Sequence, residues 1–178
     1  MIKAIETRYN GYRFRSRLEA RWAIFFDIQG IKYEYELEGF DLGAAGYYLP
    51  DFYLPVVKMW GEVKPIELTE EERRKAEALA TMTLRPCLML IGAPDLKEYD
   101  SIEYCTSWDN DHLEQAGEII SYPYTLAVTK WYKNENRFPV MYCQEPQQFI
   151  YMLEGNRYID AVHRARSARF EHGETPSV

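Results

Sequence analysis

The chain has 178 residues, 47% of them hydrophobic and 15% aromatic, and its formal net charge is −7. This length and composition predict a folded protein with a substantial core and argue against a disordered chain. An odd count of three cysteines without metal-ligand spacing argues against a disulfide framework. The sequence contains neither a signal-peptide pattern nor an apolar run of about eighteen residues, so it predicts a cytoplasmic protein that does not span a membrane.

Charge is distributed unevenly along the chain. Residues 1–21 contain six basic and two acidic side chains, a net charge of +4, so the remaining residues carry a net charge of −11. An acidic protein is a poor general coat for nucleic acid, but a local basic segment can still attract phosphate. The arginines near the start therefore form either a phosphate-contacting surface or a solvated helix face.

Residues 14–30 predict the first helix. Ser16 is a suitable N-cap, Glu19 follows at capping-box spacing, and Gly30 supplies the stop. One apolar stripe follows helical spacing and comprises Leu18, Trp22, Phe25 and Phe26. Because Glu19 shares the flank of Trp22, it is predicted to face inward.

Three strands are predicted next. Residues 31–42 alternate between apolar and charged side chains, which is typical of a half-buried strand. A glycine-bounded loop at 43–46 then leads into a strand over 47–54 that is closed by Pro55. The third strand is predicted over 56–64, where Pro65 ends it.

A second helix is predicted from a capping box at Thr69 and Glu72 to about residue 81, with the acidic first turn complementing the helix dipole. The continuous apolar run at 86–92 is typical of a strand buried on both faces. A helix that crosses between two strands makes the sheet mixed. The predicted fold class is α/β.

The remainder of the chain predicts shorter elements. Strands are predicted at 102–108, 118–122, 125–132 and 138–142, and helices at 145–153 and from 156 to about 171. We interpret residues 1–100 as the core and residues 101–178 as a C-terminal extension packed on it within the same domain.

The chemistry-bearing residues lie on the second and third predicted strands. Pro50-Asp51 is followed eleven residues later by Glu62-Val63-Lys64. Strand periodicity places Glu62 and Lys64 on one face and directs Val63 into the core. Two carboxylates suit Mg²⁺, and a neighbouring lysine can orient the water that attacks a phosphodiester.

At these residues the sequence resembles the PD-(D/E)XK nuclease superfamily, which has the restriction-endonuclease-like fold. The resemblance implies a core of helix, three-stranded antiparallel meander, helix and further strand. It also implies a DNA endonuclease dependent on Mg²⁺ or Mn²⁺, with Asp51, Glu62 and the Val63 carbonyl as metal ligands and Lys64 orienting the nucleophilic water. Glu19 occupies the place of the family's first-helix glutamate, which joins the metal site.

A second resemblance concerns the whole chain. The arginine-rich opening and the Ala-Arg-Ser-Ala-Arg-Phe-Glu ending are similar to small proteins of phages, prophages and plasmids, which implies a mobile-element setting but no particular substrate. The resemblance to nucleases implies DNA as the partner, with Arg15, Arg17 and Arg21 as candidate phosphate contacts. Since cutting two strands with one site of this type usually takes two copies, a homodimer is also expected.

Two other interpretations remain open. The acidic charge and the 15 tyrosines also suit a catalytically silent nuclease-fold protein that binds or regulates, for example as an anti-defence factor. In a purely structural protein, Pro50-Asp51 would be a turn and Glu62 and Lys64 a surface ion pair. Glu19, likewise, has the simpler interpretation of a helix cap.

Overall fold

The computed structural model describes residues 5–95, 99–104, 119–124 and 155–170. In chain order the strands and helices are β1 (Thr7–Tyr9), β2 (Tyr12–Phe14), α1 (Arg17–Gln29), β3 (Glu34–Tyr35), β4 (Phe40–Asp41), β5 (Tyr47–Tyr48), β6 (Phe52–Leu54), β7 (Met59–Lys64), α2 (Glu70–Thr83), β8 (Cys87–Ile91), β9 (Tyr99–Tyr104), β10 (Ile119–Tyr124) and α3 (Gly155–Ser167). The predicted mixed α/β class is confirmed.

The main sheet has six strands in the order β10-β9-β8-β7-β6-β3. Strands β7 and β8 are parallel and joined through α2, and every other neighbouring pair in this sheet is antiparallel. The predicted crossover and mixed sheet are therefore observed. Two small hairpins, β1-β2 and β4-β5, lie outside the main sheet.

Side-chain alternation along the strands builds two cores on opposite faces of the sheet. On one face, Leu54, Val63 and Leu90 pack with the buried stripes of α1 and α3. On the other face, Trp60 and Met89 pack with the inward residues of α2, namely Ala76, Leu79 and Ala80. Adjacent residues of β7 thus serve different layers, as a period of two requires.

Local capping sets the helix boundaries where the sequence predicts them. The Ser16 hydroxyl accepts a hydrogen bond from the Glu19 backbone N–H at 3.1 Å, and Gly30 ends α1 in the left-handed conformation at φ 73°. Thr69 and Glu72 form the predicted capping box at the start of α2. A turn at Asn10-Gly11 joins β1 to β2, with both residues at positive φ.

The single strand predicted over 31–42 is wrong. Only Glu34–Tyr35 pairs with β6, whereas Phe40–Asp41 pairs with β5 in a separate hairpin. The backbone turns at Glu36, which has φ 47° and donates its N–H to the carbonyl of Asp51 at 2.9 Å. The alternating pattern continues through this residue, but the chain does not remain extended.

The other two predicted strands are shorter than expected. The strand over 47–54 is divided into β5 and β6 around Pro50, which has no N–H for a ladder. The strand over 56–64 begins only at Met59, after a turn with Lys58 at φ 55°. These breaks leave Asp51 immediately before a strand that pairs with β7.

In the second half of the chain, β9, β10 and α3 correspond to three predicted elements. The elements predicted at 125–132, 138–142 and 145–153 lie outside the described residues. Tyr158 and Ala161 of α3 belong to the same core as α1. No helix in the described ranges is both long and apolar enough to cross a bilayer.

Candidate active site

The pairing of β6 with β7 brings the two predicted carboxylates together. Phe52 lies opposite Gly61 in this antiparallel pair. Asp51, which immediately precedes β6, therefore lies beside Glu62 of β7. The Val63 N–H donates a 2.8 Å hydrogen bond to Oδ2 of Asp51, and each carboxylate residue is only 4% exposed. Two acidic side chains distant in sequence thus share one buried corner at the end of a hairpin.

Lys64 lies on the same face of β7 as Glu62, as predicted. Its ammonium is 2.9 Å from Oε1 of Glu62 and 3.0 Å from Oε1 of Glu72. Val63, between them, packs into the core on the α1 face. The lysine is therefore held between a strand carboxylate and a carboxylate from the first turn of α2.

Glu19 reaches the site from the start of α1 and is 7% exposed. Its Oε1 accepts a hydrogen bond from the Ser16 hydroxyl at 2.6 Å. Its Oε2 accepts from the Arg15 backbone N–H at 3.0 Å and from the Tyr35 hydroxyl. Both oxygens thus serve the turn that leads into α1, which agrees with a capping role.

Arg15 connects that turn to the carboxylates. Its guanidinium donates to Oδ1 of Asp51 at 2.7 Å and lies 2.6 Å from Oε1 of Glu36. Roughly half of its side chain is exposed, whereas that of Asp51 is almost entirely covered. A half-exposed basic side chain thus covers a buried acidic one.

The electrostatics of this corner reflect burial and crowding of like charge. Burial raises the pKa of Asp51 well above its usual range, and the charges of Glu62 and Glu19 raise it further against the opposing effects of the Val63 N–H and Arg15. Burial also raises the pKa of the Cys87 thiol, with Glu62 and Asp51 adding to the effect. The fold therefore crowds carboxyl groups where their charged forms are poorly solvated, an environment that a bound cation would stabilise.

An open cleft of about 530 Å³ exposes this corner to solvent. Its walls include Arg15, Glu19, Asp51, Glu62, Val63 and Lys64 from the predicted set, together with Tyr48, Glu71, Glu72 and Lys75. Arg17 and Arg21 are not among the residues that line it. Of the three predicted phosphate contacts, the structure brings only Arg15 to the carboxylates.

The donor set can be compared with the needs of a metal ion. Within the described ranges, no group of three or more His, Cys, Asp and Glu side chains is arranged to hold one. Oε2 of Glu62 is buried and, among the described residues, accepts no hydrogen bond. Since Mg²⁺ is commonly bound by one or two carboxylates, with waters and substrate phosphate completing the shell, Asp51 and Glu62 fit that ion.

Three contributions to the site were missed at the level of sequence. The sequence pattern indicates Glu72 only as a helix cap, although the capping box places its second oxygen within reach of Lys64. The same kind of pattern places Tyr35 on a strand and gives it no role, yet its hydroxyl donates a hydrogen bond to Glu19. The contact between Arg15 and Asp51 has no local sequence signal, because the two residues lie on different elements.

Comparison of this chain with protein-family models, with curated proteins and with solved structures found no match in any of the three.

Proposed function

We propose that this protein is a Mg²⁺-dependent endonuclease that hydrolyses phosphodiester bonds in DNA. The observation that supports the proposal is the buried pair of Asp51 and Glu62, joined on one sheet face by Lys64 and open to a cleft. A pair of crowded carboxylates with one unsatisfied oxygen favours a cation over a purely structural ion pair.

Each residue then has a specific role. Asp51, Glu62 and the Val63 carbonyl hold the metal ion, which when bound supplies Lewis-acid stabilisation of phosphate charge and acidifies a water molecule. Lys64, anchored against Glu62, orients the attacking water. Arg15 exchanges its contact with Asp51 for a phosphate oxygen of the substrate, which a guanidinium binds well.

DNA is the proposed partner because its phosphates can pair with arginines near the site. Arg15 lies in the cleft and Arg17 and Arg21 lie on α1, and they supply local positive charge in a protein that is acidic as a whole. Binding through a small number of arginines should weaken as salt concentration rises. Cleavage of both strands of a duplex by one site of this type usually takes two copies, so a homodimer is part of the proposal.

Glu19 is assigned a supporting role in this scheme. Both of its oxygens accept hydrogen bonds. The bond from the Arg15 backbone N–H fixes the backbone position from which the Arg15 side chain extends. Its negative charge still acts on Asp51 through space. We therefore place Glu19 beside the metal ligands and outside the set that coordinates the ion.

The proposal can be tested with labelled duplex, nicked, flap and four-way-junction DNAs incubated with Mg²⁺ or Mn²⁺. We expect cleavage of at least one substrate by the wild type and losses of about 100-fold or more in Asp51→Asn, Glu62→Gln and Lys64→Ala. Glu71→Gln is the matched control, because Glu71 lines the cleft but pairs with Lys75. Equal cleavage by the wild type and the three site variants would contradict the proposal.

A catalytically silent binding or regulatory protein is the second candidate. It is favoured by the two side-chain cations that already neutralise the carboxylates, Arg15 at Asp51 and Lys64 at Glu62. Calorimetric titration with Mn²⁺ separates the candidates, since a competent site binds with heat that depends on Asp51 and Glu62. DNA binding without such heat and without cleavage would favour the second candidate.

A further inference from the structure

Lys64 would be a poor catalytic group if its ammonium moved freely. A lysine side chain has a flexible four-carbon stem with many rotamers, so orientation of a water requires that the amine be fixed. In this structure Glu62 provides one anchor at 2.9 Å. Since Glu62 is also a proposed metal ligand, a bound cation would compete with the lysine for its negative charge and weaken this anchor.

The second anchor is Glu72, whose own position is tightly determined. Its Oε2 accepts hydrogen bonds from the Thr69 N–H at 2.9 Å and the Thr69 hydroxyl at 2.8 Å. Its backbone N–H donates in return to the Thr69 hydroxyl at 3.3 Å. The capping box therefore immobilises one oxygen of the carboxylate and leaves Oε1 to meet Lys64 at 3.0 Å.

The pKa of Glu72 agrees with separate partners for its two carboxylate oxygens. Partial burial raises its pKa, but hydrogen bonds from the Thr69 backbone and from Lys64 outweigh that effect and lower the pKa to about 2. Glu72 is thus an anion at neutral pH. Its neighbour Glu71 lines the same cleft but pairs with Lys75, at 2.9 Å, and not with Lys64.

We propose that Glu72 is a positioning residue for Lys64: the capping box of α2 fixes a carboxylate that holds the lysine ammonium beside Glu62. An ammonium has three N–H donors, so these two carboxylates leave one donor for a water or a phosphate oxygen. This inference rests on the proposed function for its catalytic consequence, whereas the anchoring itself can be measured in the free protein.

The decisive variant is Glu72→Gln. Glutamine completes a capping box as glutamate does, so α2 keeps its N-terminus while Lys64 loses one negative partner. Glu71→Gln is the matched control: it removes the same charge from the same helical turn and frees Lys75 instead. Thermal unfolding of both variants checks that the fold is kept.

The first readout is ¹³C relaxation of the lysine Cε methylenes, which needs no DNA and no metal. We expect the Lys64 methylene to be rigid in the wild type and in Glu71→Gln, and to approach the mobility of the exposed Lys58 in Glu72→Gln. The Lys75 methylene should be rigid in the wild type and in Glu72→Gln, and mobile in Glu71→Gln, which removes its partner. A Lys64 methylene that is equally mobile in all three proteins, or equally rigid in all three, would overturn the inference.

The second readout is the kinetics of DNA cleavage. Glu72→Gln should lower kcat about 10- to 100-fold with little change in KM, as for other residues that orient a catalytic group, and Glu71→Gln should not. An unchanged kcat in Glu72→Gln would overturn the catalytic role. If the wild type cleaves nothing, the proposed function fails, and the relaxation data alone decide whether Glu72 positions Lys64.

Discussion

The guanidinium of Arg15 donates a 2.7 Å hydrogen bond to Oδ1 of Asp51, 36 residues further along the chain. Arg15 lies in the turn between β2 and α1, and Asp51 lies just before β6. The contact ties the basic opening of the chain to its buried acidic corner. Because Asp51 also faces the charges of Glu62 and Glu19, Arg15 is the nearest described cation that can balance it.

Replacement of Arg15 should therefore destabilise the free protein. In Arg15→Met the charge of Asp51 loses its compensation, and we expect the free energy of unfolding at pH 7 to fall by about 1–2 kcal/mol, less than for a fully buried pair because Arg15 is half exposed. Urea unfolding measures this loss. Excess Mn²⁺ should restore much of it if the cation binds at Asp51.

Arg13→Met is the control for that experiment. Arg13 pairs with Glu6 on the surface, where both side chains are mostly exposed, so its removal should be nearly neutral. Equal effects of the Arg13 and Arg15 substitutions would show that Asp51 does not depend on Arg15.

Glu19→Gln distinguishes a supporting glutamate from a metal ligand. Glutamine can still accept from the Arg15 N–H and the Tyr35 hydroxyl, so we expect Mn²⁺ affinity close to that of the wild type. Asp51→Asn should weaken the affinity by about 10-fold or more, because it removes the charge of a proposed ligand. Calorimetry compares the two, and an equal loss in Glu19→Gln would make Glu19 a direct ligand.

Asp27 should make stability depend on pH in a predictable direction. Burial raises the pKa of this α1 carboxyl despite hydrogen bonds from Asn10 and Tyr33. Its folded-state pKa thus exceeds the unfolded value of about 3.9, so the folded state binds the proton more tightly. The ionised group destabilises the fold above its folded-state pKa, and this cost disappears as pH falls toward the unfolded value.

Asp27→Asn removes that titration. The stability of the variant relative to the wild type should therefore be greatest near pH 7 and should decline steadily toward pH 4, as measured by urea unfolding across that interval. Glu38→Gln, at an exposed position, controls for the loss of one negative charge. A difference between Asp27→Asn and the wild type that is constant with pH would contradict the prediction.

Gly30 ends α1 at the point where Arg157 of α3 contacts that helix. It adopts φ 73°, and an added methyl group would lie 3.1 Å from Nη2 of Arg157, whose Nε donates to the Ile28 carbonyl at 2.7 Å. Gly30→Ala should therefore lower the free energy of unfolding by about 1–2 kcal/mol through left-handed strain, with an added cost for moving Arg157. Chemical denaturation provides the measurement.

Gly11→Ala separates these two costs. Gly11 has φ 82°, and no atom of the described residues lies within 4 Å of an added methyl, so the strain of about 1 kcal/mol should appear alone. If the two substitutions cost the same, Arg157 accommodates the methyl freely and does not hold the end of α1.

Features determined by a few neighbouring residues could be predicted from the sequence alone. Ser16 and Gly30 bound α1, Thr69 and Glu72 start α2, and the period of two places Glu62 with Lys64 and turns Val63 inward. Each of these features depends on residues within one helical turn or one strand, so the local sequence pattern is sufficient to predict it.

Only the tertiary structure decided how these pieces meet. The turn at Glu36, the contact of Arg15 with Asp51 and the reach of Glu72 to Lys64 all join residues whose partners lie on other elements. An alternating pattern does not reveal where a strand bends, and a charge in the sequence does not reveal which opposite charge it will face. Those choices follow from packing of α1 and α2 on opposite faces of one sheet, which brings their N-terminal turns to the same end of β7.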